Sequence, residues 1–319
     1  MNQEPQIISK TKAEGKSLRS VSLWSITWRR LFRRKSAIVG MAILGVLVFI
    51  ALTAPWIAPY NPIHSMLDVV VFPGSPRKRS APCIHAFGCP EDQAQHIMGL
   101  DGNIRDEFSR ILYGARLSLM IGLTTVTFAI IIGSVLGALS GYFGGWLDNT
   151  VMRFMDVLLA FPSLLLAIAI VTVLGPGLQN ALLAIGIVSI PAYARVVRGS
   201  VLSVREMEFV SATRALGGSN AQVLFGRILP NALTPLIVYG TLGIATAILD
   251  AAALSFLGLG AQPPTPEWGA MLGAERNQVF TAPHLVFFPG IAIALTVMAF
   301  NLLGDGLRDA LDPRLAHVS

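Results

Sequence analysis

The chain has 319 residues, of which 53% are hydrophobic and 13% charged, with a mean hydropathy of +0.63; soluble domains hold about 45–50% and about 25%. That balance excludes a disordered chain, argues against a soluble enzyme, and leaves two cysteines too few for a small disulfide scaffold. The formal charge of +6 comes from 24 Lys and Arg against 18 Asp and Glu, and in a membrane protein such an excess belongs at the cytoplasmic face and needs no nucleic acid to explain it.

A helix needs about 20 apolar residues to cross a hydrocarbon core of roughly 30 Å, and uncharged stretches predict six crossings. Residues 1–36 read as a polar cytoplasmic tail, with no cleaved signal peptide because no apolar core precedes residue 37. The first span is 37–58, behind the basic run Arg33-Arg34-Lys35. Residues 59–112 read as an extracytoplasmic loop, irregular around Pro73, Pro76 and Pro82, with His96 to Arg110 expected to form an amphipathic helix. Inside this loop Cys83 and Cys89 either pair as a disulfide, stay as free thiols, or join His85 in a metal hairpin. The second span lies between Arg116 and Asp148, where Gly133, Gly137 and Gly141 recur at four-residue spacing and permit close helix contact. Arg153 and Asp156, at i, i+3, are expected to pair.

From Val157 to Ala194 no charge occurs for 38 residues, and Gly175-Pro176-Gly177 divides the stretch into spans three and four. The segment 200–230 follows on the cytoplasmic side. Span five runs from about Asn231 to Leu257, interrupted by Asp250, and span six lies between Arg276 and Asp305, leaving 305–319 as a cytoplasmic tail and 113–304 as the core. Of the 24 Lys and Arg, 17 fall on the side of the N-terminal tail, which places both termini in the cytoplasm.

Catalytic chemistry is not indicated. There is no HExxH and no His pair at i, i+4. Gly15-Lys16-Ser17 lacks the first glycine of a phosphate loop, since Lys10 stands there. A nucleotide-driven process therefore needs its ATP site on another chain. The spans carry no relay of acids and histidines for proton coupling; Asp250 is their plain acid, with a pathway role and a structural bond as its two readings.

The segment Arg205 to Gly218 reads as a short helix stopped by paired glycines, and Ser219 to Ile228 as a second one meeting Leu229-Pro230. It resembles the EAA loop of ABC-importer permeases, with Gly217, Leu229 and Pro230 at matching spacing and Ser211, Thr213 and Arg227 departing from the motif. Further stretches, Ala252 to Gly260, Gln262 to Gly269, Asn301 to Asp309 and His96 to Asp106, are similar to the second permease of dipeptide/oligopeptide importers. That resemblance implies an all-α type I importer permease, a five-helix core plus an N-terminal span, with a coupling helix seated on an ATPase subunit. It implies coupling contacts at Glu208, Phe209, Val210, Ala212, Arg214, Ala215, Leu216 and Gly217. It further implies a homologous second permease, two ATPase subunits that bind ATP and Mg, and an extracytoplasmic peptide-binding protein. This chain would hold no cofactor and would lie in a bacterial cytoplasmic (inner) membrane as half of a peptide pathway. Relatives of the same architecture carry nickel chelates, glutathione or other small solutes, and a stand-alone channel or ion-coupled carrier is the reading from another class.

Overall fold

The computed structural model describes residues 28–68, 77–90 and 94–311. The N-terminal tail up to residue 27, the stretch 69–76 with Pro73 and Pro76, residues 91–93 and the C-terminal tail from 312 lie outside the described residues.

Among the described residues five helices are long and apolar enough to cross a bilayer: α1 (Lys35–Ile57), α2 (Glu107–Phe143), α5 (Leu178–Arg205), α9 (Thr234–Phe256) and α11 (His284–Leu311). Between α2 and α5 lie α3 (Gly145–Leu159) and α4 (Ser163–Leu174), which together are apolar enough for a sixth crossing but meet at 91°, the geometry of a broken span or a re-entrant loop. Short helices α6 (Glu208–Ala215), α7 (Asn220–Val223) and α8 (Leu229–Ala232) link α5 to α9, and α10 (Trp268–Glu275) links α9 to α11.

The glycine row of α2 packs against α5. A Cβ on Gly133 would lie 2.8 Å from the Tyr193 Cβ, one on Gly137 would meet the Ala194 carbonyl, and one on Gly141 would lie 3.0 Å from the Arg198 carbonyl. Three successive turns therefore bring two backbones into direct contact, with dispersion acting in place of the hydrophobic effect that lipid removes. Helix α1 closes on α11 in the same way, Gly40 against Ala299 and Gly306 against Ala37.

Three sequence expectations are corrected. Span three is not one straight helix: α3 and α4 meet at 91°, because Pro162 supplies no N–H and bars Phe161 from continuing the helix. His96 to Arg110 is not an amphipathic helix; Asp101 Oδ1 accepts from the N–H of Asn103 and of Arg105 at 2.8 Å each, an Asx turn that diverts the backbone. The helix begins only at Glu107, where the Asp106 carboxylate accepts from Ser109 N at 2.8 Å. Asp156 pairs with Arg195 of α5 and not with Arg153. The last helix runs on through Asp305 to Leu311, past the charge that bounds the apolar run.

Candidate coupling site

The link between α5 and α9 is a corner. Helix α6 presents Glu208 in its first turn and Arg214 in its last, each sign at the favourable end of the helix dipole. It stops where Gly217 takes φ +82, with Gly218 N donating to Thr213 O at 3.1 Å; a residue with a Cβ is strained in that left-handed region. Ser219 then caps α7 in a reciprocal box with Gln222. A wide turn at Leu224–Ile228 leads into Leu229-Pro230, the proline sitting in the first turn of α8, where its missing donor costs no helix bond.

Glu208, Phe209, Ala212, Arg214, Ala215, Leu216 and Gly217 are exposed on this corner, Leu216 at 89%. Phe225, 56% exposed, adds an apolar residue that the sequence reading missed. Val210 does not belong with them. It is wholly buried, in one cluster with Val204, Val223 and Leu224, because roughly 100° per residue turns it to the inner face once Phe209 faces out.

The corner is fastened to the end of α2. Arg205 Nη1 donates to the carbonyls of Gly141 and Tyr142 at 3.2 Å each, satisfying acceptors that a helix C-terminus leaves open. Tyr142 donates its hydroxyl to Asn220 Oδ1 at 2.8 Å, and the Arg214 guanidinium lies 5.5 Å from the Tyr142 ring centre. Asp148, which also accepts from Ser140, takes two charge-assisted bonds from Arg198 at 2.6 Å.

Asp250 sits half-buried on α9, beside exposed Leu249 and Thr246 and buried Ala251. No hydrogen bond or ion pair joins it to the described residues.

The opposite end of the bundle holds a charged cluster that the sequence reading did not assemble. Asp101 Oδ2 accepts from Arg105 Nε at 2.7 Å, with Arg110 Nε 3.6 Å away. Glu275 of α10 accepts from Arg79 Nε at 2.7 Å and from Gly102 N at 2.9 Å. Arg110 Nη1 donates to Pro62 O and Pro264 O at 2.9 and 3.2 Å, so one side chain ties two loops to α2. Trp268, 1% exposed, donates to Ile111 O at 3.1 Å over Gly114, where a Cβ would lie 2.5 Å from the indole nitrogen. Burial raises the Asp106 carboxyl, which the Ser109 hydroxyl and N–H pull back down. The same desolvation raises Glu267 and lowers the His96 imidazole. The sequence signal was present as density: Asp101, Arg105, Asp106, Glu107 and Arg110 crowd ten positions of an otherwise charge-poor chain. Cys83 and Cys89 are joined as a disulfide, their Cα atoms 5.3 Å apart. His85 starts the short turn between them, and among the described residues no group of three or more His, Cys, Asp or Glu is arranged to hold a metal.

Comparison with known proteins agrees with this architecture. Residues 129–317 match the family described as binding-protein-dependent transport system inner membrane component, and residues 22–70 match the N-terminal TM domain of oligopeptide transport permease C. The chain is 48% identical to the dipeptide transport system permease protein DppC of Alkalihalophilus pseudofirmus, covering 93% of this chain and 91% of that one. It is 46% identical to the di/tripeptide transport system permease protein DppC of Pseudomonas aeruginosa, with 92% of each covered. It is 44% identical to the glutathione transport system permease protein GsiD of Pectobacterium atrosepticum, covering 92% and 91%. A solved inward-facing structure of the MetNI methionine ABC transporter shares the fold, with a TM-score of 0.53 at 20% identity over 64% of this chain and 97% of that one. In such importers the permease is not the enzyme, and ATP is hydrolysed on separate subunits. A helical bundle with a broken crossing, an exposed corner and these relatives make the chain a member of the binding-protein-dependent ABC importer permeases, a multi-pass membrane subunit that works with an ATPase and a solute-binding protein.

Proposed function

We propose that this permease forms half of a pathway for short peptides, beside a homologous permease, above two ATPase subunits that bind ATP and Mg, and beneath an extracytoplasmic peptide-binding protein. The observation that carries the substrate class is the near-complete match, at 46–48% identity, to two permeases named for di- and tripeptides. Glutathione is the second reading, favoured by 44–46% identity to glutathione permeases over the same share of the chain.

In this reading the corner at 206–228 faces the cytoplasm and receives the ATPase. The charge asymmetry supports that orientation: 17 of 24 Lys and Arg lie on the same side as the corner and both termini, in the cytoplasmic (inner) membrane. Six crossings return the chain to the side on which it began. The Cys83–Cys89 disulfide then falls in the oxidising compartment, consistent with where such bonds persist.

The mechanism follows from the shape of the corner. ATPase subunits closing on ATP move whatever is seated between them, and a helix with exposed Phe209, Ala212, Ala215 and Leu216 gives them apolar and small residues to grip. The seat follows directly on α5, whose last residue Arg205 bonds the end of α2, and leads into α9 through Leu229-Pro230. Its displacement tilts those crossings, provided docking energy differs between the two states of the pathway. Asp250 contributes an unpaired carboxylate on a partly exposed face of α9. A charge at that depth is costly against lipid tails, so the face is assigned to the pathway or the second permease.

Uptake by the complete importer in liposomes is the test. Labelled dialanine should accumulate only with ATP, the ATPase subunits and binding protein, and Ala215→Arg should abolish accumulation. Uptake by this chain alone, without ATP, would overturn the assignment and favour a carrier. Strong uptake of glutathione with none of dialanine would favour the second reading.

A further inference from the structure

We infer that Tyr142, at the last turn of α2, is a positioning residue for energy coupling: it sets the angle of the corner and passes the corner's displacement into α2. The inference rests on the coupling reading above and extends it to a crossing that the corner does not touch in sequence.

The two arms of the corner, α6 and α7, meet at Gly217-Gly218, where glycine leaves the backbone its widest freedom. A hinge that bends absorbs motion, and a lever has to resist bending. Each arm is held from outside the corner by a different part of one side chain. Arg214, the last-turn cation of α6, lies 5.5 Å from the Tyr142 ring centre. Asn220, the first residue of α7, accepts from the Tyr142 hydroxyl at 2.8 Å. Ring and hydroxyl thus span the glycine pair and close a triangle over it.

Tyr142 is itself immobilised. It is 7% exposed and lies within the main core cluster. Its carbonyl and that of Gly141 are both held by Arg205, and one residue earlier Ser140 shares Asp148 with Arg198. Helix α2 packs along α5 through its glycine row, so a push on Tyr142 reaches the centre of the bundle without passing through Leu229-Pro230.

The test uses the full importer in liposomes and reads labelled dialanine moved per ATP hydrolysed, a ratio that general loss of folded protein does not change. Tyr142→Phe keeps the stacked ring and loses the hydroxyl, and the ratio should fall about fivefold, as expected for one hydrogen bond lost in the transmitting state. Asn220→Ala should give the same fall, and the double variant Tyr142→Phe with Asn220→Ala should fall no further. Asn220→Asp, which keeps an acceptor oxygen, should stay near wild type. Tyr142→Ala removes both contacts and should cost about tenfold or more. Unchanged ratios in Tyr142→Phe and Asn220→Ala would overturn the inference, as would a double variant whose loss is the product of the two single losses. If wild type itself shows no ATP-dependent uptake, it is the importer reading that has failed.

Discussion

The two ends of the bundle solve the problem of polar residues in opposite ways. At the end carrying Trp268, acids and bases are buried against one another: Asp101, Arg105, Glu107, Arg110 and Glu275 are all buried. They bridge segments as far apart in sequence as Arg79 and Glu275. At the end carrying the 206–228 corner, polar and apolar side chains from Glu208 to Gly217 stand exposed apart from buried Val210 and half-buried Thr213, and the corner meets α2 through a few discrete side-chain contacts to Tyr142. The first arrangement resists change, since removing one member leaves a buried charge uncompensated. The second leaves its side chains open for the contact with the ATPase proposed above. A transporter needs both, a fixed frame at one end and a grip at the other.

Substitutions can break this contrast, and the largest effect is expected in the frame. Asp101→Ala takes the acceptor from Arg105 and leaves Arg110 without its near carboxylate. Thermal unfolding of the purified complex should show a loss on the order of 3–5 kcal/mol, and a shift within about 0.5 kcal/mol would mean that the frame is solvated and the contrast false. Next comes Gly137→Val, which forces branched carbon into the Ala194 backbone of α5. Overpacking of this kind costs about 1–3 kcal/mol and should appear as lower yield of folded protein. At Gly217, where φ is +82, replacement by Ala should cost about 1–2 kcal/mol of local strain, read as weaker retention of the ATPase subunits on co-purification. The smallest effect on stability is expected at Leu216, 89% exposed. Leu216→Asp should move the unfolding transition by less than about 0.5 kcal/mol while still lowering ATPase retention, and normal retention would remove Leu216 from the grip.

Much of the fold was legible because lipid simplifies the code. A crossing must be apolar for its whole length, so runs such as 37–58 declare themselves, and the glycine spacing of α2 announced a close helix contact that α5 supplies. The corner was legible for a different reason, since Gly217, Ser219 and Pro230 are stop and start signals that act locally. Three things escaped. The break at Pro162 lies inside a charge-free stretch, where hydropathy carries no information about direction. Val210 was grouped with its exposed neighbours because an eight-residue helix is too short to fix its rotational phase from composition. The frame escaped because its partners are far apart: Arg110 finds Pro264, and Trp268 finds Ile111, across more than 150 positions. Long-range pairing is decided by how helices assemble, and no local pattern encodes it.

The broken crossing also alters the bilayer that the protein sees. Helix α4 has 12 residues, roughly 18 Å at the usual rise, against a hydrocarbon thickness of roughly 30 Å. Because α3 runs at 91° to it, the two cannot both follow the membrane normal and add their lengths. As a crossing exposed to lipid, the pair would be met by a thinned bilayer, with exposed Trp146 and Phe154 of the kind that settle at a membrane interface. Uptake should therefore fall when the importer is reconstituted in thicker lipids, and unchanged uptake across lipid thicknesses would mean that this flank does not face the bilayer as a short crossing.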